Sequence, residues 1–236
     1  MELNLEQGKY LVKLARRTIE EYVNSKIKSL VSSITTRQYF IEKIKSEEVL
    51  YPGLEEPRGV FCTLNRYPQK ELRGCIGLPY PDKPLKEAVI SAAIDSTQDP
   101  RFSPLGKEEL EAVTIELSIL TKPELIEVQR PEEYLEKIEQ GKNGLILQYK
   151  DGDSGALVTQ GLFLPQVWEQ LQKQLPAGNS VLTENKFKEL FLAHLCYKAN
   201  IFDSNAWRHQ NAQLLKFQVQ IFEEKEPKGE VEEKSL

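Results

Sequence analysis

Histidine, cysteine and methionine are scarce in this sequence, and their scarcity closes off several kinds of site. The three cysteines, Cys62, Cys75 and Cys196, are odd in number and far apart, and only His194 and His209 supply imidazole. Without a C-x-x-C pair, neither a disulfide framework nor a structural zinc site is expected. No G-x-G-x-x-G and no Walker A stretch is present, so neither a dinucleotide nor a P-loop site is indicated. No metal and no organic cofactor is expected. The chain also lacks a run of about 18 apolar residues, so no membrane span is expected. Met1-Glu2-Leu3-Asn4 lacks the basic-then-apolar order of a secretory signal, which makes the cytoplasm the expected location. A net charge of -5 supplies no broad basic field, which argues against binding nucleic acid irrespective of sequence.

What the chain does have is the material of a globular core: 40% hydrophobic and 28% charged residues over 236 positions. Leu11, Leu14, Ala15, Thr18, Ile19, Tyr22 and Val23 recur at helical spacing and predict a first helix over 5–28, capped by Asn4 with Gln7 in capping-box register. A shorter helix is expected over 37–49. Val60 to Leu64 and Leu72 to Gly77 read as strands joined too closely for a crossover helix, hence an antiparallel pair. Pro84 precedes a helix with Leu85, Ala88, Val89, Ala92 and Ala93 as its apolar stripe. Val113, Ile115, Leu117 and Ile119 alternate with polar residues, the clearest half-buried strand.

Farther on, a short helix is expected over 131–138, and Gly144–Tyr149 and Ala156–Thr159 form a hairpin about Lys150-Asp151-Gly152-Asp153. Gly152-Asp153-Ser154-Gly155-Ala156 only superficially resembles a nucleophile elbow, since it lies in that turn and the residue after Gly155 breaks the motif. Pro165 opens a helix through Leu175, and Thr183 caps another running to about Ala199. Leu215, Phe217, Val219 and Ile221 alternate in a last long strand. Residues 223–236 are charged and poor in apolar residues and are expected to be a disordered tail, leaving 1–222 as the folded domain. Hairpins and helices without regular strand–helix alternation predict an α+β fold dominated by antiparallel pairing.

The stretch with most chemical content is Leu72-Arg73-Gly74-Cys75-Ile76-Gly77. By strand alternation Arg73 and Cys75 share one face, opposite Leu72 and Ile76. Cys75 next to a guanidinium is a candidate catalytic thiol; the alternative is a small buried side chain. Arg73 either holds an anionic ligand or pairs with an internal carboxylate such as Asp99. Gly74 and Gly77 fit a ligand near the backbone or close helix–sheet packing. Asp99 and Arg101, in a proline-stiffened loop, either complete the wall of a ligand site or bridge each other. His194 falls on the side of Phe187, Leu190 and Phe191 and reads as a core histidine. Trp168 and Trp207 read as core or cleft walls.

This hexapeptide resembles the hallmark of the AMMECR domain family. Gly59–Leu64, Asp99–Pro104, Gly144–Leu147, Phe163–Trp168 and Lys198 through Trp207 resemble the family as well, so the resemblance spans about residues 5–222. It implies one domain of two subdomains: a two-lobed, mostly antiparallel sheet flanked by helices, a smaller second lobe, and an interlobe cleft near the hexapeptide. Asn143 stands where the family pattern has histidine, and Asn200 where it has a helix-ending glycine. The resemblance brings no established reaction. It implies a functional link to Memo-like and radical-SAM proteins. Two functions follow: an enzyme or enzyme subunit acting on a small anionic ligand or modified residue, with Cys75 catalytic and Arg73, Gly74, Gly77, Asp99 and Arg101 binding; or a non-catalytic module docking a peptide or partner protein.

Overall fold

The computed structural model describes residues 2–25, 38–43, 52–175 and 182–235. They gather into two compact units: residues up to Lys122 together with Gln220–Ser235, and Pro123–Val219. The architecture is α+β, with antiparallel sheets flanked by helices. No helix among the described residues is long and apolar enough to cross a membrane.

The first unit opens with helix α1 (Leu5–Asn24), where the Asn4 side chain accepts from Gln7 N and the Gln7 side chain accepts from Asn4 N. This reciprocal cap satisfies two of the donors a helix start leaves orphaned. The part of the expected helix beyond residue 25 lies outside the described residues. Of the second expected helix, 38–43 is helical and the remainder lies outside them. Strands β1 (Val60–Arg66), β2 (Glu71–Leu78) and β3 (Val113–Leu120) pair antiparallel, with β1 in the middle. Helix α2 (Leu85–Ser96) runs between β2 and β3 in sequence. Cys62, Leu64, Ile115 and Leu117 turn one face of the sheet into a core with Leu11, Ala15 and Ile19 of α1 and Ala88, Val89 and Ala92 of α2. The alternation along β3 dictates this, because every second residue is apolar.

The second unit holds strands β4 (Glu124–Leu125), β5 (Gly144–Lys150), β6 (Leu157–Phe163) and β7 (Ala212–Phe217) in the order β4-β7-β5-β6. Helix α3 (Tyr134–Lys137) is a single turn, and α4 (Gln166–Gln174) and α5 (Glu184–Lys198) supply most of the helical side of the core. Trp168 stacks on Phe191, centroids 3.5 Å apart, and donates from Nε1 to Asn143 O. Both tryptophans are core residues, each 1% exposed. Asn200, at φ +58°, ends α5 in the left-handed conformation that asparagine tolerates best after glycine. Pro165 precedes α4, and the Thr183 side chain caps α5.

Three expectations need correction. The long last strand is two strands: β7 ends at Phe217, and β8 (Val219–Glu224) begins a new pairing in the other sheet. Alternation survives the change of sheet, so periodicity alone does not reveal it. The charged tail is not disordered. Strand β9 (Val231–Lys234) pairs antiparallel with β8, completing the order β2-β1-β3-β8-β9. Its charges are compensated: Glu224 is buried in a bidentate pair with Arg16 and also accepts from Ile115 N, while Lys234 bridges Glu116 and Glu223. Val231 joins the core. Finally, His194 is exposed on α5, because the buried face of that helix passes through Phe187, Phe191, Leu192 and Leu195 instead.

Candidate functional site

Strand β2 lies at the edge of the five-stranded sheet, so half its backbone groups have no strand partner. At Cys75 two side chains supply the missing bonds. Cys75 N donates to Asp99 Oδ2 at 2.8 Å, and Arg101 Nη2 donates to Cys75 O at 3.2 Å. Asp99 and Arg101 are themselves joined, with Nη2 to Oδ2 at 2.6 Å and Nε to Oδ1 at 3.0 Å. The pair therefore acts as a two-pronged cap on the strand edge, fixing the peptide groups on both sides of the thiol. Asp99 is buried, and its carboxyl falls from an ordinary 3.8 to about 2, chiefly through the Arg101 guanidinium and then the Cys75 and Arg101 amides. The Arg101 side chain is 53% exposed.

One residue earlier the ladder slips. Leu64 pairs with Gly74 and Asn65 with Leu72, so Arg73 is the extra residue of a β-bulge. A bulge redirects the side chain it inserts. The expected sharing of one face by Arg73 and Cys75 therefore does not occur. Arg73 turns to Glu109, donating from Nε to Oε1 at 2.7 Å and from Nη2 to Oε2 at 2.8 Å, and Nη2 also meets Ser103 O at 3.0 Å. It is 2% exposed. Its carboxylate partner is Glu109, not Asp99, and the two shift each other's titration away from neutrality, the arginine up and the glutamate down. The Arg73 and Arg101 guanidiniums each stand under 6 Å from the Phe102 ring centre.

Both glycines of the hexapeptide have packing reasons. A Cβ on Gly74 would overlap the Ser96 carbonyl at the end of α2, and one on Gly77 would overlap the Phe61 ring. Close approach demands glycine at each.

Cys75 itself points to the face opposite the helices. Thr63 lies directly across from it and donates from Oγ1 to Sγ at 3.3 Å. Thr63 in turn faces Glu116 on β3, so Cys75, Thr63 and Glu116 form one cross-strand row. Lys234 Nζ sits 2.9 Å from Glu116. Burial pushes the Cys75 thiol above its ordinary value, with Thr63 and Arg101 opposing that rise. Burial likewise raises the Glu116 carboxyl, against the pull of Lys234. Cys62, on the other face, is fully buried and pushed up to about 12. Thr63 and Glu116 carry no motif in the sequence. Their alternation positions opposite Cys75 were the one available signal, and the pairing register was needed to use it.

The remaining candidates lie elsewhere. Asn143 is buried in the second unit, its Oδ1 accepting from Glu139 N at 2.9 Å, so it shapes the loop before β5. His209 gives both ring nitrogens to neighbours within the second unit: Nδ1 to Tyr149 and Nε2 to Asp203.

Comparison with known proteins gives this geometry a family setting. A family model described as AMMECR1 matches residues 12–222. The chain is 44% identical to protein MJ0810 of Methanocaldococcus jannaschii, over 99% of this chain and 98% of that one. It is 39% identical to protein MK0488 of Methanopyrus kandleri, over 100% and 97%. Among solved structures, the uncharacterised protein PH0010 from Pyrococcus horikoshii superposes with a TM-score of 0.74 at 38% identity, covering 100% of both chains.

Proposed function

The chain belongs to the AMMECR1 family, and from that premise we propose that the sheet face around Cys75 is its ligand site, where it acts as an enzyme or enzyme subunit on a small anionic molecule. The observation that carries this reading is the way the thiol is held. Its strand edge is pinned by Asp99 and Arg101, its sulfur receives the Thr63 hydroxyl, and it remains half-buried, not sealed. A structural cysteine has no need of fixed peptide groups on both sides; a nucleophile does, because misplacement by an ångström is costly.

Within this reading Arg101 replaces Arg73 as the anion holder. Arg73 is enclosed and satisfied by Glu109, whereas Arg101 is half exposed and already lowers the cost of a thiolate at Cys75. Glu116 stands one strand beyond Thr63 on the same row and is bonded to Lys234, so its charge opposes a thiolate at Cys75 from a distance. The second reading, a module that docks a peptide or partner such as a Memo-like or radical-SAM protein without chemistry, is favoured by one fact: the resting thiol is shifted toward its neutral form.

Iodoacetate and iodoacetamide differ in charge and little else, so their relative rates at Cys75 distinguish the two readings. The enzyme reading expects iodoacetate to react at least as fast, with the ratio falling about fivefold in Arg101→Gln, the worth of one exposed charge pair near 1 kcal/mol. A ratio indifferent to Arg101, or no labelling until the protein unfolds, would leave the docking module.

A further inference from the structure

A second cluster of reactive groups lies in the four-stranded sheet's unit, with no part in the site above. Tyr149 is the sixth residue of β5, and His209 lies three residues before β7, whose first residue, Ala212, pairs with Tyr149. That register brings Tyr149 Oη to 2.8 Å from His209 Nδ1. On the ring's other side, His209 Nε2 stands 3.2 Å from Asp203 Oδ2. A carboxylate only accepts, so in the neutral ring the proton sits on Nε2, and the bare Nδ1 accepts the Tyr149 hydroxyl. The order is carboxylate, imidazole, hydroxyl, which is the arrangement that activates an oxygen nucleophile.

The support around it is built as well. Asp203 Oδ1 accepts from Asn205 N at 2.9 Å, which leaves Oδ2 aimed at the ring. Ala206 N donates to Asp203 O, His209 N to Ala206 O, and Ala212 N to His209 O, each at about 3 Å, so the loop carrying both residues is tied along its length. Asn211 bonds both ways with Lys150, the neighbour of Tyr149. All three functional groups reach solvent: the side chains of His209 and Asp203 are 43% and 49% exposed, and Tyr149 is half-buried. Phe202, the sequence neighbour of Asp203, is 86% exposed.

We propose that Tyr149, His209 and Asp203 form a second site, in which the Tyr149 hydroxyl accepts an acyl group from an activated ester or thioester. The carbonyl carbon suits a phenolic oxygen, and the exposed position admits a donor from solvent. In the step, a bond forms between Tyr149 Oη and the acyl carbon while the donor's carbon–oxygen or carbon–sulfur bond breaks. The phenol proton passes to His209 Nδ1 and from there to the departing alcohol or thiol. Asp203, a positioning residue, holds the ring and stabilises the imidazolium between the two transfers.

The test uses the intact protein and p-nitrophenyl acetate, with acylated residues mapped by mass so that a Tyr149 ester is separated from a Cys75 thioester. Tyr197, 48% exposed on α5, is the internal reference. Tyr149 is expected to acylate about tenfold faster than Tyr197 or more, a modest share of what general-base help supplies. His209→Gln should erase that advantage. Asp203→Asn should slow Tyr149 while leaving Tyr197 unchanged, and Asp203→Glu, which keeps the carboxylate, should restore most of the Tyr149 rate; a purely structural aspartate would leave the Tyr149 rate in place. Equal rates at Tyr149 and Tyr197 in the unmutated protein, or a Tyr149 rate unchanged by His209→Gln, would overturn the proposal. The first of these requires no variant to fold.

Discussion

Cys75 on the five-stranded sheet and Tyr149 on the four-stranded sheet are each held by a carboxylate and a cationic or ionisable group, but the holding is done differently. At Cys75 the charged pair grips the backbone: Asp99 and Arg101 bind the strand's amide and carbonyl, and the sulfur accepts from the Thr63 hydroxyl. At Tyr149 the pair acts on the reactive atom itself, through His209. Burial follows the same division. The carboxylates of the first site are buried or partly so, whereas Asp203 stands half in water. The first arrangement ties placement to the stability of the unit; the second can be rebuilt without disturbing its sheet.

Stability measurements should expose that difference most strongly at Glu109. Removing its carboxylate in Glu109→Ala strands the buried Arg73 guanidinium, and breaking a buried pair from one side costs about 3 kcal/mol. The exposed Asp203→Ala should cost about 1 kcal/mol or less, the range of an exposed side-chain hydrogen bond and one backbone bond. Denaturant midpoints of the two variants decide it. Comparable losses would mean that the second unit depends on its relay as the first does on its buried pair.

Much of this was readable from residue order, and the limits are informative. The capping box at Asn4, the β3 alternation, the hairpin at Asp151 and the left-handed stop at Asn200 are local rules, satisfied within a few residues. The bulge at Arg73 was not readable, because a slipped register depends on the partner strand. Nor was the ordering of the tail: Glu224 and Lys234 look like solvated charges until Arg16 and Glu116, far away in sequence, are set beside them. The candidate site divides likewise. Cys75, Asp99 and Arg101 are legible by type and loop chemistry, and the Asp99–Arg101 bridge is one of the two arrangements the sequence supports. Thr63, Glu116 and Glu109 are ordinary residues given roles by pairing. His209 drew notice only as a rare imidazole; sixty residues separate it from Tyr149.

A smaller effect should appear in acid. Asp99, lowered to about 2, binds its proton less readily folded than unfolded. Its contribution is thus complete above the ordinary value near 3.8 and lost as pH falls toward 2. Wild type should lose about 1–2 kcal/mol more than Asp99→Asn between pH 5 and pH 2. If Asp99→Asn follows the wild-type curve, the strand-edge cap is not what couples the first site to its fold.

The smallest effect concerns the sulfur directly. The Thr63 hydroxyl stabilises a thiolate at Cys75, so Thr63→Val, which keeps the shape and removes the donor, should push the thiol still higher. A neutral donor of this kind is worth about 0.6 kcal/mol, so iodoacetamide labelling at pH 8 should slow about threefold. Cys62, pushed up to about 12 and fully buried, should stay unlabelled in both proteins and marks the floor of the assay. The sign separates the alternatives. Slower labelling means that Thr63 prepares the sulfur for ionisation, as His209 prepares Tyr149. Faster labelling would mean that the hydroxyl shields a resting thiol, and the two sites would then differ in purpose as well as in construction.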